Sequence, residues 1–321
     1  MTMAEERFRL PAKEFKGPPL HPHLYPGERP ASSYVLSHDD GVPTVFQLFD
    51  VNLGRLEAAL VAGTGKTLDE FLVSKGRAPV EERLVSLAYG SNVNPMQLVN
   101  RKFGALQTKT GLPDIDVVAI KGFTENYAVV FMPYIPEYGS VPATIMPSPG
   151  KVETWILLLD DEQLKRMNDT EGLNIGSYRM GVQPFTHEGL TLPAYGYLGG
   201  KSGVFLDPTT STPVRFAGRN YTSITDDFVP IDSTGSDLPE STELEMMILV
   251  NTLQKNFTGE RLYEWVKSPR AFVLTQSGKE RSAWVNSFLR DFHSRPVEFP
   301  GTEFVDNPYE TESLKRLKDV A

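Results

Sequence analysis

Apolar positions in this chain come in short bursts separated by glycine, proline and acidic residues, and the period of those bursts sets the elements. "SSYVLSHDDGVPTVFQLFDV", residues 32–51, reads as two strands around a turn at Asp40-Gly41, a dipeptide that accepts the positive φ of a tight hairpin. "GRLEAALVAGTGKTLDEFLVSKG", residues 54–76, is mostly helical in pattern; Thr67 and Glu70 make a capping box and Gly76 closes the second helix. Residues 84–89, apolar at Leu84, Val85, Leu87 and Ala88, read as a strand, and "NPMQLVNRKF" is a short helix. "VVAIKGFTENYAVVFMPY" supplies two strands, and residues 143–147 and 152–159 two more. "DDEQLKRM" is a helix capped by Asp160, and "SYRMGVQPF" and "LTLPAYGYLG" are further strands.

The two ends differ from this middle. Residues 1–30 hold six prolines and read as an extended arm. After about residue 225 a polar link, "TDDFVPIDSTGSDLPEST", leads into helical segments. Leu244, Met247, Ile248 and Leu253 share one helical face, and Trp284, Val285, Phe288, Leu289 and Phe292 another. These faces need partners, so the segment is expected to pack on the middle and restrict its pocket, with a homodimer as the alternative use of one face. The expected organisation is a mixed α/β (α+β) fold: residues 1–83 an arm, hairpin and helices, 84–225 a β-rich catalytic unit, and 226–321 a mainly helical extension.

Composition narrows the function. The 321 residues are 40% hydrophobic with a net charge of −9, and Lys and Arg are scattered among acids, which argues against a nucleic-acid surface. There is no cysteine, so no disulfide, thiolate metal site or cysteine nucleophile. No apolar leader and no membrane-length apolar run is visible, so a cytoplasmic location without membrane attachment is expected. The five histidines form no His-Glu-x-x-His pattern, and no metal is expected. "AGTGKT", residues 62–67, suggests a phosphate loop, but Leu60 stands where that motif needs glycine; the two glycines are expected to end one helix while Thr67 caps the next. Asp39 and Asp40 fit a hairpin turn better than a cation site.

Two stretches carry chemistry. In "LAYGSNVNP", residues 87–95, a strand ends in Tyr89-Gly90-Ser91-Asn92; a turn calls for glycine or asparagine but not for a tyrosine before them. In "NDTEGLNIGSY", residues 168–178, Glu171 follows a helix on a turn and Tyr178 opens the next strand, so a carboxylate and a phenol can enter one pocket.

In order along residues 84–225, Tyr-Gly-Ser-Asn at a strand end, Gly122-Phe123 in a strand, "ATIMPSPGKVETW" and then Glu171-Gly172 with Tyr178 resemble the γ-glutamylcyclotransferase family. The resemblance implies a small mixed β-barrel with short helices. It places the catalytic carboxylate on Glu171, the substrate loop on Tyr89, Gly90, Ser91 and Asn92, and pocket tyrosines on Tyr178, Tyr197 and Tyr221. Met167-Asn168, Ile156 and Leu87 depart from the family's Leu-Asp, glycine and aromatic. It further implies cofactor-independent cleavage of a small γ-glutamyl amide (of an amine, amino acid or peptide) through attack by the substrate's own α-amine, releasing 5-oxoproline. Glu171 would be general acid and base, its pKa raised by a partly apolar pocket. The Gly90-Ser91-Asn92 amides would hold the oxyanion or the substrate carboxylate. Gly90 would allow an unusual φ and close approach, and Tyr89 would wall the pocket and present its hydroxyl. A binding or regulatory protein on the same fold, and an amide hydrolase or acyltransferase using the same glutamate, are the alternatives.

Overall fold

The computed structural model describes residues 8–18, 24–106, 111, 114–136, 139–200, 203–217, 219–221, 228–230, 233–258, 286–287, 289–291 and 293–320. The fold is mixed α/β, with a large sheet and few helices. Strands are β1 (Arg9–Pro11), β2 (Tyr34–Asp39), β3 (Val42–Phe49), β4 (Leu60–Val61), β5 (Lys66–Thr67), β6 (Leu84–Ala88), β7 (Val117–Phe131), β8 (Ala143–Leu159), β9 (Tyr178–His187) and β10 (Leu190–Gly199). Helices are α1 (Leu68–Ser74), α2 (Pro95–Gln97), α3 (Asp161–Thr170) and α4 (Glu243–Thr258).

The strands run β8–β6–β10–β9–β7–β2–β3–β4–β5 within a 13-stranded sheet. β6 and β10 are parallel; the other neighbours along this run are antiparallel. A further antiparallel pairing of β7 with β8 brings the two ends of the β8–β6–β10–β9–β7 run together. The sheet is larger than the small barrel expected from the middle of the chain, because β1–β5 extend it past β7.

β6 is buried at every position because both faces of the sheet are covered. Its period of two divides the core: Val85 and Leu87 enter one apolar cluster with Ile156 and Leu158, while Leu84 and Ala88 enter another with Trp155 and Leu157. No helix among the described residues is long and apolar enough to cross a membrane.

Several local expectations are met. Asp40 (φ 47) and Gly41 (φ 80) make the hairpin turn, the Thr67–Glu70 capping box opens α1, and Asp160 caps α3 in a box with Gln163. Others are corrected. Residues 117–131 form one long strand, irregular at Asn126 (φ 60) opposite Ser148–Gly150, and residues 143–159 form its single long partner. The stretch before α1 is not a helix but a 3-10 turn, Leu53–Ala58, followed by the β4–β5 hairpin. Gly63 and Gly65 take left-handed φ of 68° and 66° in its connection, so "AGTGKT" is a hairpin turn.

The arm is packed rather than extended: β1 pairs with β3, Ala12 and Phe15 are buried, and Tyr25 joins the core. On α4 the buried face is Met246, Met247 and Val250, whereas Leu244 and Ile248 are 43% and 41% exposed. The apolar stripe therefore lies about a third of a turn from the expected one. Leu289 is buried, while Trp284, Val285, Phe288 and Phe292 lie outside the described residues. Residues 294–320 are mostly irregular and return to the core: the Leu317 amide donates to the Arg83 carbonyl at 2.9 Å, and Arg316 pairs with Asp161 at 3.0 Å.

Candidate active site

A cavity of about 200 Å³ opens where β6, α3 and β9 meet. β6 ends at Ala88, and Tyr89 and Gly90 lead into a 3-10 turn, Ser91–Val93. Asn94 then caps α2: its Oδ1 accepts the Gln97 amide at 2.8 Å, while its Nδ2 donates to the Glu28 and Lys16 carbonyls at 2.5 and 3.0 Å. The capping residue thus ties the loop to the arm. The Ser91 and Asn92 amides, at the start of the turn, find no acceptor among the described residues, and both residues line the cavity.

Gly90 has a φ of −110°, outside the left-handed region, so conformational need does not explain it. Close approach does: a Cβ there would lie 2.7 Å from the Tyr25 hydroxyl.

Glu171 terminates α3, and left-handed Gly172 (φ 64) turns the chain toward Tyr178 at the start of β9. Its carboxylate lies in a cavity that Leu87, Ala88 and Ile175 also line, and polar groups hold one of its oxygens. Asn92 Nδ2 donates to Oε1 at 3.1 Å, and the buried Lys102 ammonium contacts the same oxygen. Lys102 Nζ also donates to Thr170 Oγ1 at 2.7 Å. Oε2 of Glu171 receives no donor among the described residues. Burial pushes the Lys102 pKa down, and neighbouring Glu171 opposes that shift.

Lys102 reaches this position from a π-helical turn, Leu98–Phe103, that continues α2. The wider turn displaces residues from the positions an α-helix gives them, and the Arg166 Nε donates to the Lys102 carbonyl at 3.0 Å.

Five tyrosines wall the cavity: Tyr25, Tyr89, Tyr134, Tyr178 and Tyr197. Burial raises the pKa of each, so all remain neutral phenols at physiological pH. They brace one another's strands. Tyr178 donates to the Ala143 carbonyl at 3.0 Å, and Tyr25 accepts the Ala143 amide at 3.1 Å. Tyr89 gives its proton to the Tyr197 carbonyl, so its hydroxyl is engaged with the scaffold rather than offered to the cavity.

Tyr197 donates to Asn168 Oδ1 at 2.6 Å, and Asn168 Nδ2 donates to the Pro308 carbonyl at 2.7 Å. Asparagine is needed here because one oxygen must accept while the other atom donates. Asn168→Asp should cost about 1–3 kcal/mol by setting a carboxylate oxygen against a carbonyl. A fall in the urea midpoint at unchanged slope is the measurement, and an unchanged midpoint would refute this role.

Of the residues singled out from sequence, Tyr89, Gly90, Ser91, Asn92, Glu171, Tyr178 and Tyr197 line one cavity. Tyr221 lies on a separate ribbon, Arg219–Tyr221 paired with Phe228–Pro230, and its side chain falls outside the described residues. Lys102, Tyr25, Tyr134 and Gln97 were not anticipated. Gln97 Oε1 is a buried acceptor without a donor among the described residues, on a residue that lines the cavity. The C-terminal extension supplies none of the described lining residues; the arm, through Tyr25, does. No group of three or more His, Asp or Glu able to hold a metal occurs among the described residues.

No protein-family model matches the chain, and no curated protein matches it. Among solved structures, a γ-glutamyl cyclotransferase is similar over 71% of this chain and 96% of its own, at 12% identity and a TM-score of 0.31. An uncharacterized protein from Homo sapiens is similar over the same shares at 13% identity and a TM-score of 0.31. YkqA from Bacillus subtilis is similar over 56% of this chain and 77% of its own, at 10% identity and a TM-score of 0.29. Scores this low leave the functional reading to the geometry of the cavity.

Proposed function

We propose that this protein cleaves a γ-glutamyl amide by intramolecular cyclisation, releasing 5-oxoproline and a free amine. The observation that carries the reading is the division of labour on Glu171: Oε1 is held by Asn92 and Lys102, and Oε2, without a donor among the described residues, is left for a proton in the cavity that Ser91 and Asn92 also line. Substrate and site are complementary in charge. Arg101, Lys102 and Glu171 give the lining two cations and one anion, matching a group that brings an α-carboxylate and an α-ammonium. The volume, below the roughly 300–1,000 Å³ usual for larger ligands, suits an amino-acid-sized group with its amine portion toward solvent.

Glu171 takes a proton from the α-ammonium, and the amine attacks the γ-carbonyl five atoms round the closing ring. Nucleophile and electrophile belong to one molecule, so holding the glutamyl chain folded is itself a large part of the acceleration. The loop amides stabilise the oxyanion as it forms.

The test is mass-spectrometric product analysis after incubation with a panel of γ-glutamyl amines, amino acids and peptides. 5-Oxoproline is the expected product. Free glutamate instead would mean hydrolysis, and no turnover of any member would favour a binding protein on this scaffold.

A further inference from the structure

The resemblance gives both proton transfers to Glu171, yet the site holds a second donor for the proton that the leaving nitrogen must gain as its bond to the amide carbonyl carbon breaks. We propose that Lys102 is the general acid that delivers it, so that Glu171 and Lys102 work as a coupled base–acid pair. This inference rests on the cyclisation reading.

Geometry supplies the grounds. An ammonium has three hydrogens. Lys102 spends one on Glu171 Oε1 and one on Thr170 Oγ1, and the third has no acceptor among the described residues although the side chain lines the cavity. Thr170 is itself fixed, donating to the Met167 carbonyl at 2.8 Å. The ammonium is therefore held from two sides with one proton to give. Burial lowers its pKa from the ordinary lysine value, which eases proton release to an amine.

The steps balance. Glu171 Oε2 takes one proton from the substrate α-ammonium, and the resulting amine bonds to the carbonyl carbon of the γ-amide, placing negative charge on the carbonyl oxygen. The carbonyl re-forms, the bond from that carbonyl carbon to the leaving nitrogen breaks with both electrons going to that nitrogen, and Lys102 Nζ supplies its proton. The proton that Glu171 took then returns to neutral Lys102, which restores the ion pair at Oε1. The ring nitrogen gives up its extra proton to Glu171, which passes it to the departing amine. Two protons leave the α-ammonium and two reach the leaving nitrogen.

A leaving-group comparison tests the assignment. Lys102→Met and Lys102→Arg would be assayed on γ-glutamyl-n-butylamide, whose amine cannot leave unprotonated, and on γ-glutamyl-p-nitroanilide, whose nitrogen can. Arginine keeps a cation against Glu171 but does not release a proton, so it covers the case in which the methionine variant fails to fold. Both variants should lose about 10²–10⁴ in kcat on the butylamide and less than about tenfold on the anilide. The basic limb of the wild-type butylamide pH profile, set by Lys102, should be missing from the anilide profile. Equal losses on the two substrates, or no loss on the butylamide, overturn the assignment while leaving wild-type 5-oxoproline formation intact. No 5-oxoproline from either substrate with the wild-type protein overturns the cyclisation reading and this inference with it.

Discussion

Glu171→Gln should reduce turnover of a γ-glutamyl amide by about 10²–10⁴-fold, the usual worth of a positioned general base. Glutamine keeps the length and planarity of the side chain, and its oxygen can still accept from Asn92 Nδ2, now 3.1 Å from Oε1. The variant lacks the basic oxygen, while the backbone remains set by the Gly172 turn and the α3 capping box. It also strips Lys102 of its counter-charge, which carries a pH signature. The Lys102 pKa, already lowered by burial, falls further without Glu171. A lysine whose folded pKa lies below its unfolded value of about 10.4 costs the folded state least at high pH, where both states are neutral, and most below the folded pKa. The stability deficit of the variant should therefore shrink as pH rises toward 10, read by denaturant titration at several pH values. Turnover near the wild-type rate would remove Glu171 from the chemistry.

Gly90→Val should cost at least about 10²-fold in activity, because displacements near 1 Å at a reacting site have effects of that size. The first carbon of the new side chain would lie 2.7 Å from the Tyr25 hydroxyl, and that hydroxyl holds the Ala143 amide. Tyr25 cannot withdraw without releasing β8, and the loop cannot withdraw without moving the Ser91 and Asn92 amides. Gly63→Ala is the contrasting case. Gly63 has a φ of 68° with nothing within 4 Å of the added carbon. Alanine there costs about 1–2 kcal/mol of backbone strain and leaves the cavity untouched. Kinetics and melting of the two variants should separate cleanly. An equal loss of activity in both, or ATP binding that weakens on Lys66→Ala, would reverse the ranking and reopen the phosphate-loop reading.

Local signals account for what could be read from the sequence. Caps, hairpin turns and the carboxylate after α3 depend on residues within a few positions of one another, and Glu171, Tyr178 and the Tyr89–Asn92 loop were found that way. Lys102 escaped because Arg101-Lys102 near a helix C-terminus looks like ordinary surface charge facing the dipole. Only the π-helical turn, which no periodicity announced, carries it inward. Tyr25 escaped because prolines around it suggest a solvated arm, while its partner Ala143 lies 118 residues away. The α4 stripe was misplaced because Leu244 and Ile248 are as apolar as the Met246 and Val250 that are buried; tertiary contact, not composition, chose the face. Asn168 looked like a departure from a motif until its two partners gave it a reason.

The latch from Asn168 to the Pro308 carbonyl spans 140 residues, and it bears on when the protein becomes competent during synthesis. Tyr25, the β6 loop, Lys102 and Glu171 all emerge from the ribosome well before Pro308. Until residue 308 is made, the Asn168 amide has no carbonyl to hold, and the Tyr197 contact beneath it rests on a side chain free to rotate. The cavity wall should thus form early and tighten late, in step with the last segment to be translated. A nascent chain halted shortly before residue 308 should bind a γ-glutamyl compound poorly, and extension past that point should restore binding.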